Sequence, residues 1–162
     1  MVTPLGVDVP STWQKLINGE SGIDIITQYD PALTETKIAA EVKGFDPTQY
    51  IDRKEARHMD RFVQLGVVSA LQAVDQAGTR NVSAEDTGVI IGCGLGGLNT
   101  LLNQYDVMRE KGADRVSPFL IPMMIPDMAS GQASIILGAK GPNFCTASAC
   151  ASGSDAIGTA YE

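Results

Sequence analysis

The chain has 162 residues, of which 44% are hydrophobic and 19% charged, and its formal net charge is −7. This composition is typical of a folded globular protein and excludes an intrinsically disordered chain. The acidic balance, without any run rich in lysine and arginine, argues against nucleic acid as a partner. No stretch approaches the roughly 20 consecutive apolar residues of a membrane helix.

The cysteines bear on the cellular compartment. Cys93, Cys145 and Cys150 form an odd set, without the spacing of a metal site or of a disulfide framework, and this fits a reducing cytosol. The N-terminus does not read as a signal peptide. We therefore expect a cytoplasmic protein.

The first 52 residues predict little regular structure. Residues 11–19 predict a short helix in which Ser11 is the N-cap and Gly19 the end. Residues 20–52 are interrupted by prolines, and only residues 39–42 suggest a strand.

A long helix is predicted next. Apolar or small residues recur at intervals of three and four between positions 53 and 77, which is the period of a helix with one buried face. Gly78 follows directly and is a natural C-terminal stop.

Strand and helix patterns alternate in the second half of the chain. Residues 87–94 form an apolar run typical of a buried parallel strand, and residues 99–111 predict a helix after it. Three prolines prevent regular structure from extending far within residues 117–126. A helix capped by Asp127 is predicted over residues 127–137.

The last predicted pair is a short strand over residues 142–148 and a helix that begins at Ser152. Because strands alternate with helices, the predicted fold class is α/β with a mainly parallel sheet. The chain shows no repeat, low-complexity tract or linker, so we expect residues 1–162 to belong to one domain.

The most informative residue is Cys150, which lies among small residues between that strand and that helix. The start of a helix presents unpaired N–H groups and a partial positive charge, which favour a thiolate over a thiol. A thiolate beside backbone N–H donors is suited to acyl transfer through a thioester. The residues by themselves leave a second interpretation open, that of a buried structural cysteine.

A second motif points to different chemistry. Residues 92–97 read Gly-Cys-Gly-Leu-Gly-Gly and satisfy the G-x-G-x-x-G fingerprint of dinucleotide-binding proteins, after a strand and before a helix. That fold also requires an acidic residue at the end of the next strand. Asp114 lies about the right distance along the chain, but it ends no predicted strand.

Four segments, taken in order, resemble one family. They are the stretch from Arg53 to Phe62, Ser-Pro-Phe-Leu-Ile-Pro at 117–122, Gly-Pro-Asn at 141–143 and the segment around Cys150. Together they resemble the N-terminal half of the β-ketoacyl-acyl-carrier-protein synthases, the condensing enzymes of fatty-acid synthesis, and most of all the elongating type II enzymes. The resemblance runs from about residue 4 to residue 162.

The resemblance implies a thiolase-like, layered α-β-α-β-α fold, of which this chain supplies the N-terminal half. The family's first strand and C-terminal half are then expected to be absent, and the chain is expected to be an incomplete domain at both ends. The family forms homodimers in which a sheet continues across the interface.

The resemblance also implies a decarboxylative Claisen condensation. Cys150 would take an acyl group from acyl carrier protein, and its backbone N–H would form half of an oxyanion hole. Malonyl carrier protein would lose carbon dioxide and attack the thioester. No metal or organic cofactor is needed, because the phosphopantetheine arm of the carrier delivers the substrate. The family's two catalytic histidines, its lysine and its second oxyanion donor lie in the C-terminal half, so we expect this chain alone to be inactive in condensation.

Two further residues resemble substrate contacts of the family, although ordinary core packing explains each of them as well. Leu95 resembles a residue that limits the depth of the acyl pocket, and Phe119 resembles one that reaches this pocket across the dimer interface. A basic cluster at Arg53, Lys54, Arg57 and Arg61 could meet the acidic carrier protein or could be a solvated helix face.

Four other classes of protein are alternatives. A modular polyketide ketosynthase shares the nucleophile, but a run of serines typically follows its cysteine, which Cys150-Ala-Ser-Gly153 does not match. A chain-length factor lacks the nucleophile. A thiolase would act on coenzyme A thioesters. A nicotinamide-binding oxidoreductase, from outside this group, rests on residues 92–97 alone.

Overall fold

The structure is a computed structural model and describes residues 1–78 and 82–162. The chain forms two compact units, residues 1–46 and residues 47–162. Among the described residues, no helix combines the length and the apolar character that crossing a bilayer requires.

The first unit contains a helix and a two-stranded sheet. Helix α1 spans Val9–Ile17, and strands β1 (Asp24–Ile25) and β2 (Ile38–Ala39) pair antiparallel. The strand predicted over residues 39–42 is therefore shorter than expected and covers residues 38–39.

The predicted cap of α1 was wrong. Asp8, not Ser11, is the N-cap, and its carboxylate accepts a hydrogen bond of 2.7 Å from the Ser11 backbone N–H, which lowers the pKa of Asp8. The helix can start earlier than predicted because Pro10 fits its first turn, where a backbone N–H has no partner within the helix.

The second unit begins with two helices where the sequence predicted one. Helix α2 spans Arg53–Ala56 and α3 spans Arg61–Ala77, so the single helix over residues 53–77 was wrong. Asp60 separates them: its backbone is extended, and its carboxylate accepts a hydrogen bond from the Phe62 N–H to start α3. Gly78 ends α3 in the left-handed conformation (φ +66°), as its position predicted.

The core of this unit lies where α3 packs against α6, which spans Met128–Leu137. The valines of α3 at positions 63, 67 and 68 are fully buried, as are the small residues that face them from α6. Gly66 lets the two helices approach closely, because a Cβ there would lie 3.3 Å from the Ala129 Cβ. Asp127 is the N-cap residue of α6, as predicted, but its carboxylate accepts a hydrogen bond from the Ser130 hydroxyl and from no backbone N–H.

The strands of this unit are β3 (Val89–Gly92) and β4 (Asn143–Thr146), which pair in parallel with Val89 opposite Asn143 and Gly92 opposite Thr146. Successive residues of a strand face opposite sides of a sheet. In β3, Ile91 lies towards α3 and Gly92 lies against the start of α7, which spans Ser152–Tyr161. The sheet is therefore covered by helices on both faces, and the predicted α/β class with a parallel sheet is confirmed.

Two further helices precede α6 in the connection from β3 to β4. Helix α4 spans Leu98–Lys111 and α5 spans Leu120–Met124. Helix α5 falls within the proline-rich segment in which regular structure was predicted not to extend far, and its five residues agree with that prediction. It forms because Pro122 lies in its first turn, where the missing N–H removes no helical hydrogen bond.

Candidate active site

Cys150 lies on a sharp turn between β4 and α7. Residues 149–151 form one turn of 3-10 helix, and α7 begins at the next residue. Ala149 has φ +52°, in the left-handed region that residues with a Cβ adopt only when their surroundings impose it. We call residues 148–152 the cysteine elbow. Cys150 is exposed on it, which contradicts a buried structural cysteine.

The backbone N–H of Cys150 is free to donate. Within residues 1–78 and 82–162, no acceptor is assigned to it, whereas the next N–H, that of Ala151, donates to the Ser148 carbonyl at 3.1 Å. A sulfur and an unpaired N–H on the same residue can meet a thioester carbonyl at its carbon and at its oxygen.

Hydroxyl groups hold the cysteine elbow together. The Ser148 N–H donates to Ser152 Oγ at 2.9 Å, and Ser152 Oγ donates to the Ala149 carbonyl at 2.8 Å. From β4, Thr146 Oγ1 donates to the Ser152 carbonyl at 2.8 Å. The Ser148 hydroxyl also bonds Asp155 of α7. Sequence reasoning missed these partners, since nothing in the sequence shows which hydroxyl will reach across the turn.

The glycine motif at residues 92–97 supports this elbow. A Cβ on Gly92 would lie 2.2 Å from the Ser152 carbonyl oxygen, and a Cβ on Gly94 would lie 3.1 Å from the Ala149 oxygen. The later glycines of the motif make room for the chain at the end of α5: a Cβ on Gly96 would lie 2.4 Å from the Met124 oxygen. The glycines are thus explained by close approach within the protein.

The same turn is poorly suited to a dinucleotide. In that fold the N–H groups at the start of the helix point at the pyrophosphate. Here the Gly96 N–H donates to Cys93 Sγ at 3.2 Å, and the Gly97 N–H donates to the Met124 carbonyl at 2.9 Å. Asp114 lies in a 3-10 turn, not at the end of a strand. The two glycine N–H groups that lead into α4 are therefore already occupied.

The two predicted pocket residues occupy different places. Leu95 lies in the glycine turn, 69% exposed, between Gly94, which lies against Ala149, and Gly96. Phe119 precedes α5, and its ring stacks on that of His58 with centroids 3.9 Å apart and planes 9° from parallel. The structure thus brings the turn that carries Leu95 to the elbow, whereas the ring contact of Phe119 is with His58.

The other two cysteines differ from Cys150 in their surroundings. Burial raises the pKa of the Cys145 thiol, so that Cys145 stays protonated to higher pH than a free cysteine. Cys93 accepts a hydrogen bond at its sulfur and is half-buried. Of the three, Cys150 alone is exposed.

The described residues thus place an exposed cysteine on a strained strand-to-helix turn, beside a parallel pair of strands that helices cover. The chain belongs to the β-ketoacyl synthase family: the family model for the beta-ketoacyl synthase N-terminal domain matches residues 1–162. The resemblance drawn from the sequence is confirmed.

Two curated relatives are each a 3-oxoacyl-[acyl-carrier-protein] synthase 2. That of Synechocystis sp. is 48% identical over 162 residues, and that of Staphylococcus aureus strain N315 is 46% identical over 163 residues. In both comparisons the match covers 99% of this chain and 39% of the relative. The chain therefore spans about two fifths of the length of these relatives.

Solved structures show the same fold. A beta-ketoacyl synthase from Burkholderia phymatum superposes with a TM-score of 0.80 at 28% identity, covering 99% of this chain and 40% of that one. The ishigamide ketosynthase/chain length factor superposes with a TM-score of 0.78 at 24% identity, covering 99% of this chain and 42% of the other. The thiolase-like fold expected from the resemblance is confirmed.

The tight packing of Gly92 predicts a specific defect. Gly92→Ala puts a methyl group against the Ser152 carbonyl and should lower the free energy of unfolding by about 3 kcal/mol, as measured by urea denaturation of the complete gene product. Gly131→Ala is the matched control, because a Cβ at this helical position meets nothing within 4 Å. It should raise the free energy of unfolding by about 1 kcal/mol. Equal effects of the two substitutions would contradict this packing.

The cysteines should differ in their reactivity. Iodoacetamide at about pH 8 should alkylate Cys150 at least about tenfold faster than Cys145, because Cys150 is exposed whereas burial raises the pKa of Cys145. Peptide mapping by mass spectrometry measures both rates in one sample. In Cys150→Ala the slow rate of Cys145 should persist, and faster labelling of Cys145 than of Cys150 in the unaltered protein would refute the assignment.

Proposed function

We propose that this chain supplies the acylation site of a 3-oxoacyl-acyl-carrier-protein synthase that elongates fatty acids. The observation that carries the proposal is the exposed Cys150 on a strained elbow, with an unpaired N–H on the same residue. Identities of 46–48% to 3-oxoacyl-[acyl-carrier-protein] synthase 2 from two bacteria support the reaction class.

In the proposed reaction, the Cys150 thiolate attacks the carbonyl carbon of an acyl thioester on the carrier. The new C–S bond forms, the carrier's C–S bond breaks, and the phosphopantetheine thiolate leaves and takes up a proton. The Cys150 N–H donates to the carbonyl oxygen while that oxygen carries negative charge. Malonyl carrier protein then loses carbon dioxide, and the resulting carbanion attacks the thioester and releases the Cys150 thiolate. These steps call for no metal or organic cofactor.

Within the proposed reaction, acyl loading is the step that the described residues support. The family's condensation step uses two histidines, and the sequence contains only His58. The ring of His58 stacks on Phe119. Within the proposed pocket, Leu95 is exposed on the turn beside the elbow, which supports a contact with the acyl chain. Phe119 would reach such a pocket from the second subunit of a homodimer.

The fatty-acid assignment is favoured over a polyketide ketosynthase. Cys150 is followed by Ala-Ser-Gly, not by a run of serines. One solved neighbour is a type II PKS acyl-carrier protein in complex with its ketosynthase, but that likeness is at 21% identity and concerns the fold alone. The oxidoreductase alternative is disfavoured, because the Gly96 and Gly97 N–H groups already have acceptors within the protein and Asp114 ends no strand.

The basic cluster is the proposed docking site for the acidic carrier protein. The protein is accordingly proposed to lie in the cytoplasm, together with its carrier. Arg53 and Lys54 lie on α2 and Arg57 directly follows it, and all three are exposed. Arg61 opens α3. A cluster of cations on an acidic chain is suited to steering an anionic partner.

Cys150→Ala should abolish acylation. With octanoyl-acyl carrier protein as the donor, mass spectrometry of the complete gene product should show one added octanoyl group, lost entirely in the variant, because no other exposed thiol lies in the described part of the chain. Cys145→Ala is the control and should keep the adduct. Unchanged acylation in Cys150→Ala would contradict the proposed function.

Reversing a charge of the basic cluster should weaken the carrier complex. Arg57→Glu should raise the KM for octanoyl-acyl carrier protein roughly fivefold, equivalent to about 1 kcal/mol, and added salt should reduce the difference. The control is Lys140→Glu, which changes the same charge at an exposed surface ion pair with Glu85 and should leave the KM unchanged. If both variants raise the KM equally, the cluster is not the docking site.

A further inference from the structure

The cysteine elbow contains a residue that should relax if nothing held it. Ala149 has φ +52° and is the one non-glycine residue with positive φ in the described ranges. Alanine disfavours this conformation because of its Cβ, so it persists only where neighbouring groups over-determine it. Cys150 follows directly, and the direction of its sulfur and of its N–H is set by the backbone of Ala149.

The hydroxyl of Ser152 spans this strained residue. Ser152 Oγ accepts a hydrogen bond of 2.9 Å from the N–H of Ser148, the residue before Ala149. It donates one of 2.8 Å to the carbonyl of Ala149 itself. The Ser152 residue is 3% exposed, so water is a poor substitute for either bond.

Ser152 is itself held from both strands. Its carbonyl accepts a hydrogen bond of 2.8 Å from Thr146 Oγ1 of β4. The same carbonyl lies against Gly92 of β3, where a Cβ would be 2.2 Å away. The position of Ser152 is therefore fixed by the sheet. If the turn relaxed, the Ser152 hydroxyl could not move with it and would lose its hydrogen bonds to the turn.

We propose that Ser152 is a positioning residue for acylation: its hydroxyl holds Ala149 in the left-handed conformation and thereby points the sulfur and the N–H of Cys150 at the substrate carbonyl. The proposal rests on the proposed function, since it assigns a role within that site. Ser152 does not touch the substrate, and it acts through the backbone of the two residues before it.

Loss of the hydroxyl should slow the chemistry without weakening binding. In Ser152→Ala the Ser148 N–H and the Ala149 carbonyl lose a buried partner, so Ala149 relaxes towards an ordinary φ and displaces Cys150. The maximal rate of single-turnover acylation from octanoyl-acyl carrier protein should fall roughly tenfold to a hundredfold. The donor concentration that gives half of this rate should not change. Ser154→Ala, an exposed serine on the same helix, should acylate at the unaltered rate.

A second substitution distinguishes positioning from general damage. Glycine adopts positive φ without the penalty of alanine, so Ala149→Gly combined with Ser152→Ala should recover most of the lost rate. A purely structural role of Ser152 would leave the double variant as slow as Ser152→Ala. A rate near that of the unaltered protein in Ser152→Ala, or no recovery in the double variant, would overturn the proposal.

A matched pair keeps the test valid if Ser152→Ala does not fold. Ser152→Thr and Ser152→Val have the same shape and differ by the hydroxyl, so any crowding is common to both. The threonine variant should acylate at least about tenfold faster than the valine variant, and equal rates would overturn the proposal. The proposed function is tested separately by Cys150→Ala: acylation that survives in that variant overturns the function itself, whereas acylation confined to Cys150 with no effect at Ser152 overturns only the positioning role.

Discussion

The left-handed conformation of Ala149 is the constraint on which this site depends. With Ala149 in this conformation, Cys150 is exposed just before α7, and its N–H has no assigned acceptor among the described residues. The conformation is unfavourable for alanine, and three hydrogen bonds that involve Ser152 stabilise it. Strain of this kind persists at functional sites because the surrounding structure over-determines it. In this protein the surrounding structure is the parallel pair β3–β4 and the first turn of α7.

The glycine motif at residues 92–97 packs against the cysteine elbow and helps to hold it in place. Its sequence fits a phosphate-binding loop, yet its first glycines make room for the elbow and its later ones for the end of α5. The N–H of Gly97 bonds the Met124 carbonyl. A motif of glycines reports close backbone approach, and only the surrounding contacts show whether a ligand or the protein itself makes that approach.

Much of the second unit could be predicted from the sequence, because its apolar patterns have the periods of buried strands and amphipathic helices. The parallel class, the end of α3 at Gly78 and the place of Cys150 before a helix were all predictable. The break between α2 and α3 at Asp60 could not be predicted, because the apolar spacing of a helix continues across it. Only the structure shows that Asp60 is the N-cap of a new helix. The strain at Ala149 was also beyond prediction, because it is imposed by hydrogen bonds from residues outside the turn and alanine itself carries no sign of it.

A structure of the complete gene product with an acyl group trapped on Cys150 would test the central claim most directly. The account predicts that Ala149 keeps its positive φ and that the thioester oxygen lies about 3 Å from the Cys150 backbone nitrogen. A relaxed Ala149, or a thioester oxygen directed away from that nitrogen with its N–H bonded elsewhere, would contradict the claim that the cysteine elbow is built for acyl transfer.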